Sequence, residues 1–383
     1  MTRPFMLVML SNFAYFLAVG ATLPVLPRFV EGPLAGGSVA VGLAMGTFSL
    51  AAVLLRPFTG RIGDTRGRRV LIIVGGLLVG GSLVGYVFTA SLLVLFLLRL
   101  VSGAGEALFY VGTASAINDL APDERRGEAL SYFSLSLFAG IGLGPILGEI
   151  VLDAAGFDAA WIVAALCSVF AGAIGFFVVE TRPIDPDVAP SGKLVATSAL
   201  LPGTVMAASI WGLAMFSTFV PLYALALGLS GSRFLFALHS GVVFAIRLFG
   251  ARLPDLLGPA KAATGALACS VLGFIAMAAW RSPTGLVVGT VVWSLGHSLA
   301  FPALMSMAVK GAPASERGAV VGTFTAFFDL SFGVGAVAAG GIVHLFGYSG
   351  GFLSASIAAG AGLLLLSARR QRARRISVST ATL

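Results

Sequence analysis

The chain has 383 residues, 58% of them hydrophobic and only 10% charged, with a net charge of +8. Soluble domains carry roughly 25% charged residues. At a mean hydropathy of +1.00, too few polar side chains remain to cover a wet surface. Composition therefore excludes an ordinary soluble enzyme, a disordered chain and a disulfide scaffold, and leaves an integral membrane protein.

A spanning helix needs about 20 apolar residues, whereas a barrel strand needs about 10 of alternating polarity. The apolar runs here are long and do not alternate, which predicts helices. In chain order the spans are 5–27, 38–59, 70–90, 92–116, 128–152, 159–179, 199–226, 233–253, 262–280, 284–309, 319–344 and 350–367, twelve in all. The first follows Arg3 and reaches small residues near 18–21, as a cleaved leader would. Its apolar stretch runs past any such site, so it is read as a span.

Lys and Arg placement sets orientation. One set of loops and ends carries eighteen of these residues, including Arg3, Arg61, Arg125, Arg182, Lys193 and the tail Arg369, Arg370, Arg372, Arg374 and Arg375. The other carries three, Arg28, Arg233 and Arg281. The first side is expected to be cytoplasmic and to hold both termini, in a multi-pass protein of the cell (inner or plasma) membrane. Topology and anionic lipid thus explain the positive charge, and no nucleic-acid partner is expected. Cys167 and Cys269 lie inside apolar runs and read as small core side chains, not as a disulfide or metal pair.

Shifting the sequence by 191 residues brings scarce residues onto themselves. Arg56, Asp64 and Gly67 fall on Arg247, Asp255 and Gly258. Ala121, Pro122, Arg126 and Gly127 fall on Ala312, Pro313, Arg317 and Gly318, and Gly156 falls on Gly347. The reading is a duplicated six-helix unit: a bundle over 1–180, a cytoplasmic linker over 181–198, a second bundle over 199–368 and a basic tail over 369–383. Two such units in parallel orientation describe a transporter with its site near the midplane.

The loop after span two reads Gly60-Arg61-Ile62-Gly63-Asp64-Thr65-Arg66-Gly67-Arg68-Arg69. Glycine gives the backbone freedom for a short reversal, and the arginines can pair acids on neighbouring helices. A plain basic loop is the alternative. Gly60, Asp64, Gly67, Arg68 and Arg69 match the pattern G-x-x-x-D-x-x-G-R-R and resemble the signature loop of the major facilitator superfamily. The resemblance implies a conformational latch. In the second copy, around Asp255, Pro259 and Ala260 replace the basic pair.

Span five contains Gly140, Gly144, Pro145 and Gly148, followed by Glu149. Small residues and a Pro permit close helix packing and a bend. The segment also resembles the G-P-x-x-G-G element of the drug/proton antiporter branch, which implies export, although Glu149 stands where the final Gly belongs.

Ionisable residues at bilayer depth are costly and commonly functional. Arg99 and Glu106, seven apart on span four, share one helix face and resemble the superfamily's R-x-x-x-G-x-G element, whose Arg is linked to proton coupling in antiporters of that type. Burial favours a neutral carboxyl and a nearby Arg favours a charged one. A carboxyl poised between the two takes a proton from one side and releases it to the other. A fixed Arg99–Glu106 ion pair that merely orients the helix is the alternative. Asp329 lies about midway along span eleven, as a proton site, a substrate contact or a packed residue. His297 is the repeat mate of Glu106. Asn12, Tyr15 and Trp211 are candidate cavity residues, each equally readable as packing.

No G-x-x-x-x-G-K-[ST] loop occurs, so ATP is not expected to drive transport directly, and no H-E-x-x-H occurs. No cofactor, metal or catalytic role is expected. The expectation is an all-α membrane protein of two pseudo-symmetric bundles, a monomer that exports a small hydrophobic or amphipathic compound against protons. The alternatives are proton-coupled uptake of a metabolite such as a sugar or organic acid, and a lipid flippase.

Overall fold

The structure, a computed structural model, describes residues 2–122, 125–181, 196–250, 256–310 and 317–381. Helices α1 (Arg3–Glu31), α2 (Ser38–Arg66), α3 (Arg68–Val87), α4 (Leu92–Leu120) and α5 (Arg126–Ile174) lead into a short 3-10 turn at Gly175–Phe177. Then follow α6 (Thr197–Ala226), α7 (Arg233–Phe249), α8 (Pro259–Ala279), α9 (Pro283–Lys310) and α10 (Arg317–Ala381). The described residues contain no strand and nine helices long and apolar enough to cross a membrane. Hydrocarbon offers no partner to a bare N–H or C=O, so a spanning segment must satisfy its backbone internally, and a helix does this within itself.

Two helices outrun any bilayer: α5 has 49 residues and α10 has 65. Each is interrupted by a glycine outside helical geometry, Gly156 at φ 82°, ψ −176° and Gly347 at φ 69°, ψ −178°. A side chain is poorly tolerated at such angles. Gly67 at φ 96° and Gly258 at φ 81° form a second pair. Both pairs are separated by 191 residues (347 less 156, and 258 less 67), so the period found in the sequence recurs in the backbone.

Two boundaries differ from expectation. The segment read as a loop over Gly60–Arg69 is helical through Arg66 and again from Arg68. Gly67 alone makes the reversal. At the other end, α10 continues through the basic tail to Ala381.

The chain forms two compact units. The first comprises Met1–Ala189, Ser217–Ser240 and Ala336–His344; the second comprises Pro190–Phe216, Gly241–Gly335 and Leu345–Leu383. In the first, α1 lies along α5, α3 packs on α4 and α5, and α2 packs on α4. Lipid is as apolar as leucine, so van der Waals fit holds such helices together. The seams are accordingly lined with small residues. A Cβ on Gly75 would come within 2.6 Å of the Gly105 carbonyl, and one on Gly76 within 2.7 Å of Gly172. Fully buried Trp161 meets Phe29 and Tyr86 edge-on, at 5.4 and 5.2 Å between ring centroids.

In the second unit α8 packs on α9. Gly273 lies against Trp293, whose ring sits 4.4 Å from that of Phe216 and 5.4 Å from that of Phe274. Large apolar side chains elsewhere point outward, with Phe88 81% and Phe249 86% exposed. A lipid environment makes such a surface favourable.

Candidate functional site

Arg99 and Glu106 are both buried on α4. Glu106 stands at the middle of that helix, fourteen residues from either end (106 less 92, 120 less 106). Its Oε1 accepts a bond from Nη2 of Arg56 on α2 at 3.2 Å. The Arg56 guanidinium also lies 4.7 Å from the ring centroid of Tyr110. The other oxygen, Oε2, is buried with no hydrogen-bond partner. Arg99 is held elsewhere: its Nε donates to the Ala44 carbonyl at 2.7 Å, and its guanidinium covers Phe48 at 4.6 Å. The ion pair of Glu106 is therefore with Arg56, across two helices.

Tyr15 of α1 stacks on Phe109 at 3.9 Å and lies within electrostatic reach of Glu106, Arg99 and Arg56. Its hydroxyl is buried without a hydrogen-bond partner. Asn12, one turn earlier, is committed to α5, donating to Ser136 Oγ at 2.8 Å and to the Phe133 carbonyl at 3.4 Å. A buried charge that kept no partner would cost several kcal/mol. Here Arg56 supplies the counter-charge to the Glu106 carboxylate, while Oε2 stays without a hydrogen-bond partner.

A second charged cluster surrounds the Gly67 reversal. Arg68 is buried; its Nη1 donates to Asp64 at 2.7 Å and its Nε to Asp119 at 3.4 Å. The Arg68 backbone N–H donates to Glu180 Oε1 at 2.7 Å, placing an acid at the start of α3, where the helix dipole favours it. Thr181 Oγ1 donates to Asp119 at 3.1 Å. Arg69 is half-buried beside the cluster. A Cβ on Gly60 would meet nothing within 4 Å. Asp255, the expected counterpart of Asp64, lies outside the described residues. Further along, on the surface, Arg125 donates twice to Glu128 at 2.8 Å. This hydrogen bonding holds the Glu128 carboxyl below the usual range, so the pair persists above that range and is lost as pH falls through the lowered value.

Gly140, Gly144 and Gly148 face α1. A Cβ on Gly140 would lie 2.7 Å from the Phe13 carbonyl, and one on Gly144 would lie 2.6 Å from the Gly20 backbone. Pro145 is inside the same helix. The antiporter-like segment is thus a helix–helix seam.

In the second unit Trp211 Nε1 donates to Ser354 Oγ at 3.3 Å. His297 is half-buried, 5.3 Å from the Trp293 ring, and feels the charge of Arg247. Asp329 is half-buried on α10. Of the residues singled out in the sequence, Tyr15, Arg99 and Glu106 come together; Trp211, His297 and Asp329 belong to the second unit. Arg56, Asp119 and Glu180 went unassigned. For Arg56 the available signal was its repeat match to Arg247.

Residues 8–328 and 234–381 match the family model of the Major Facilitator Superfamily. An uncharacterized MFS-type transporter of Salmonella typhimurium is 28% identical over 357 residues, covering 91% of this chain and 92% of that protein. An uncharacterized MFS-type transporter of Pseudomonas aeruginosa is 29% identical over 399 residues, covering 96% and 93%. The crystal structure of the human organic anion transporter MFSD10 superposes with a TM-score of 0.72 at 20% identity, covering 96% of this chain and all of that one. At that identity the likeness concerns the fold alone.

Proposed function

The chain belongs to the major facilitator superfamily, and on that premise we propose that it exports a small hydrophobic or amphipathic compound in exchange for protons, by alternating access. It is a multi-pass membrane transporter and not an enzyme. A reading of twelve crossings is supported by the nine long helices, with α5 and α10 divided at Gly156 and Gly347 and the 17-residue α7 included. Residues 1–180 and 199–368 then form the two bundles. The linker 181–198, the tail 369–383 and both termini lie on the cytoplasmic side.

The observation that carries the coupling is the Glu106 carboxylate: at mid-helix, buried, with one oxygen on Arg56 and the other open. Protonation removes its charge and its claim on Arg56; deprotonation restores both. Alternating these states with access from either side moves a proton across the bilayer. Arg99 fixes α4 against α2, and Asp329 is the candidate carboxylate of the second half. The Asp64–Arg68 cluster acts as a latch that holds one state closed. Trp211 and His297 offer aromatic surface to an apolar substrate, with Tyr15 beside the proton site.

The test is reconstitution into proteoliposomes with a panel of compounds, with and without a pH gradient. Export should follow the gradient, and Glu106→Gln should make it indifferent to pH. Intact proton coupling in that variant would remove Glu106 from the mechanism. Coupled uptake would replace export by symport of a metabolite.

A further inference from the structure

Glu149 is fully buried on α5 and stands where the antiporter-like segment would carry a glycine. Its carboxylate receives four hydrogen bonds from the start of α7. The Ser232 N–H donates to Oε1 at 2.8 Å and to Oε2 at 2.9 Å. Ser232 Oγ donates at 2.6 Å and the Arg233 N–H at 2.5 Å. Gly231 allows the approach, since a Cβ there would lie 2.8 Å from Glu149 Oε2. The N–H groups that open a helix have no partner within it, and here a carboxylate from another helix, 83 residues earlier than Ser232, supplies one.

The charged groups around this end come from three helices. Arg233 of α7 donates to Asp153 of α5 at 3.2 Å, and Arg28 of α1 pairs with the same Asp153 at 3.5 Å. Asp153 is one turn beyond Glu149. In the first unit this cluster sits at the end of α1 and the start of α7, opposite the Gly67 reversal.

Each bond to Glu149 requires it to accept. A proton on the carboxyl removes the charge that the helix start attracts, and turns one acceptor oxygen into a donor facing N–H groups. We propose that Glu149 is a second proton-coupling carboxylate: a proton from the solvent on the Arg28 side uncaps α7 and releases the segment Ser217–Ser240 from α5. Its purpose rests on the transport reading, but its test needs no substrate.

Spin labels on Ala154→Cys and Ser230→Cys, both exposed sites, in a Cys167→Ala, Cys269→Ala background, report the separation of α5 from the start of α7. Between neutral and acidic pH, the ratio of long to short distances should rise about tenfold, as loss of a charged hydrogen bond implies. Glu149→Gln should show the long distance at both pH values. Ser232→Ala keeps the carboxylate but removes one donor to it, and should move the transition to higher pH. Asp153→Asn should leave the transition in place. A distance that ignores pH, a pH response that survives Glu149→Gln, an unmoved transition in Ser232→Ala, or a response abolished by Asp153→Asn alone would each overturn the proposal. Failure of the Glu106→Gln transport test would leave this one standing, because the distances are read without transport.

Discussion

Arg56 reaches Glu106 from α2 while lying against the Tyr110 ring, so its charge is held by a carboxylate on one side and an aromatic face on the other. Ammonium and guanidinium differ in this setting: only the planar group stacks and donates in a fixed fork. Arg56→Met should cut proton-coupled transport about tenfold or more, the scale of one charged hydrogen bond. Arg56→Lys, keeping charge without the stacked plane, should fall between Met and wild type. Rates for the two variants in proteoliposomes under a fixed pH gradient check this; equal loss in both would mean that charge alone plays no part. Glu106 was conspicuous in the sequence because an acid inside an apolar run is expensive. Its partner was not, since pairing residues 50 apart depends on the register of α2 against α4, which composition and spacing do not set. The same reason hid Asp119 and Glu180: acids at helix ends gain meaning only when Arg68 is folded between them.

Helices α5 and α10 each change direction at a single glycine. Nothing lies within 4 Å of a Cβ built at Gly156 or Gly347, so a substitution there meets strain and no clash. Alanine at either position should cost about 1–3 kcal/mol, the scale for a side chain in a glycine-only backbone region. Gly265 also faces open space but is helical, and alanine there should stabilise by up to about 1 kcal/mol. Gly144→Ala tests the opposite case, helical backbone but a Cβ 2.6 Å from Gly20, and should destabilise by forcing α1 away from α5. Thermal unfolding of the detergent-solubilised variants separates the three effects; a neutral Gly156→Ala would mean that the break tolerates a side chain. These elements were the most legible part of the chain. Apolar length located the helices, and the 191-residue period marked the glycines that turn out to share positive φ. The extent of α2 was misread because a glycine-rich stretch suggests a loop, whereas α2 stays helical through Gly60 and Gly63.

Across the whole molecule, the backbone devices recur at the 191-residue period while the chemistry differs. Gly67 and Gly258, like Gly156 and Gly347, repeat 191 residues apart, and Arg56 matches Arg247, but Glu106 gives way to His297. A proton site therefore need not be symmetric, and the first compact unit, which holds Glu106 and Glu149, also holds both charged clusters. Sidedness then decides what each cluster senses. The Arg68 end bears most of the loop arginines, so it should face the cytoplasm, while the Arg28 end faces out. Thr65→Cys and Pro33→Cys, both exposed, sample the two ends in the Cys167→Ala, Cys269→Ala background. An impermeant maleimide should label Pro33→Cys but not Thr65→Cys in right-side-out vesicles, with the reverse in inverted ones. Labelling of Thr65→Cys from outside would place the basic loops on the wrong face and make Glu149 a sensor of cytoplasmic instead of external protons, reversing the direction in which a pH gradient could drive the cycle.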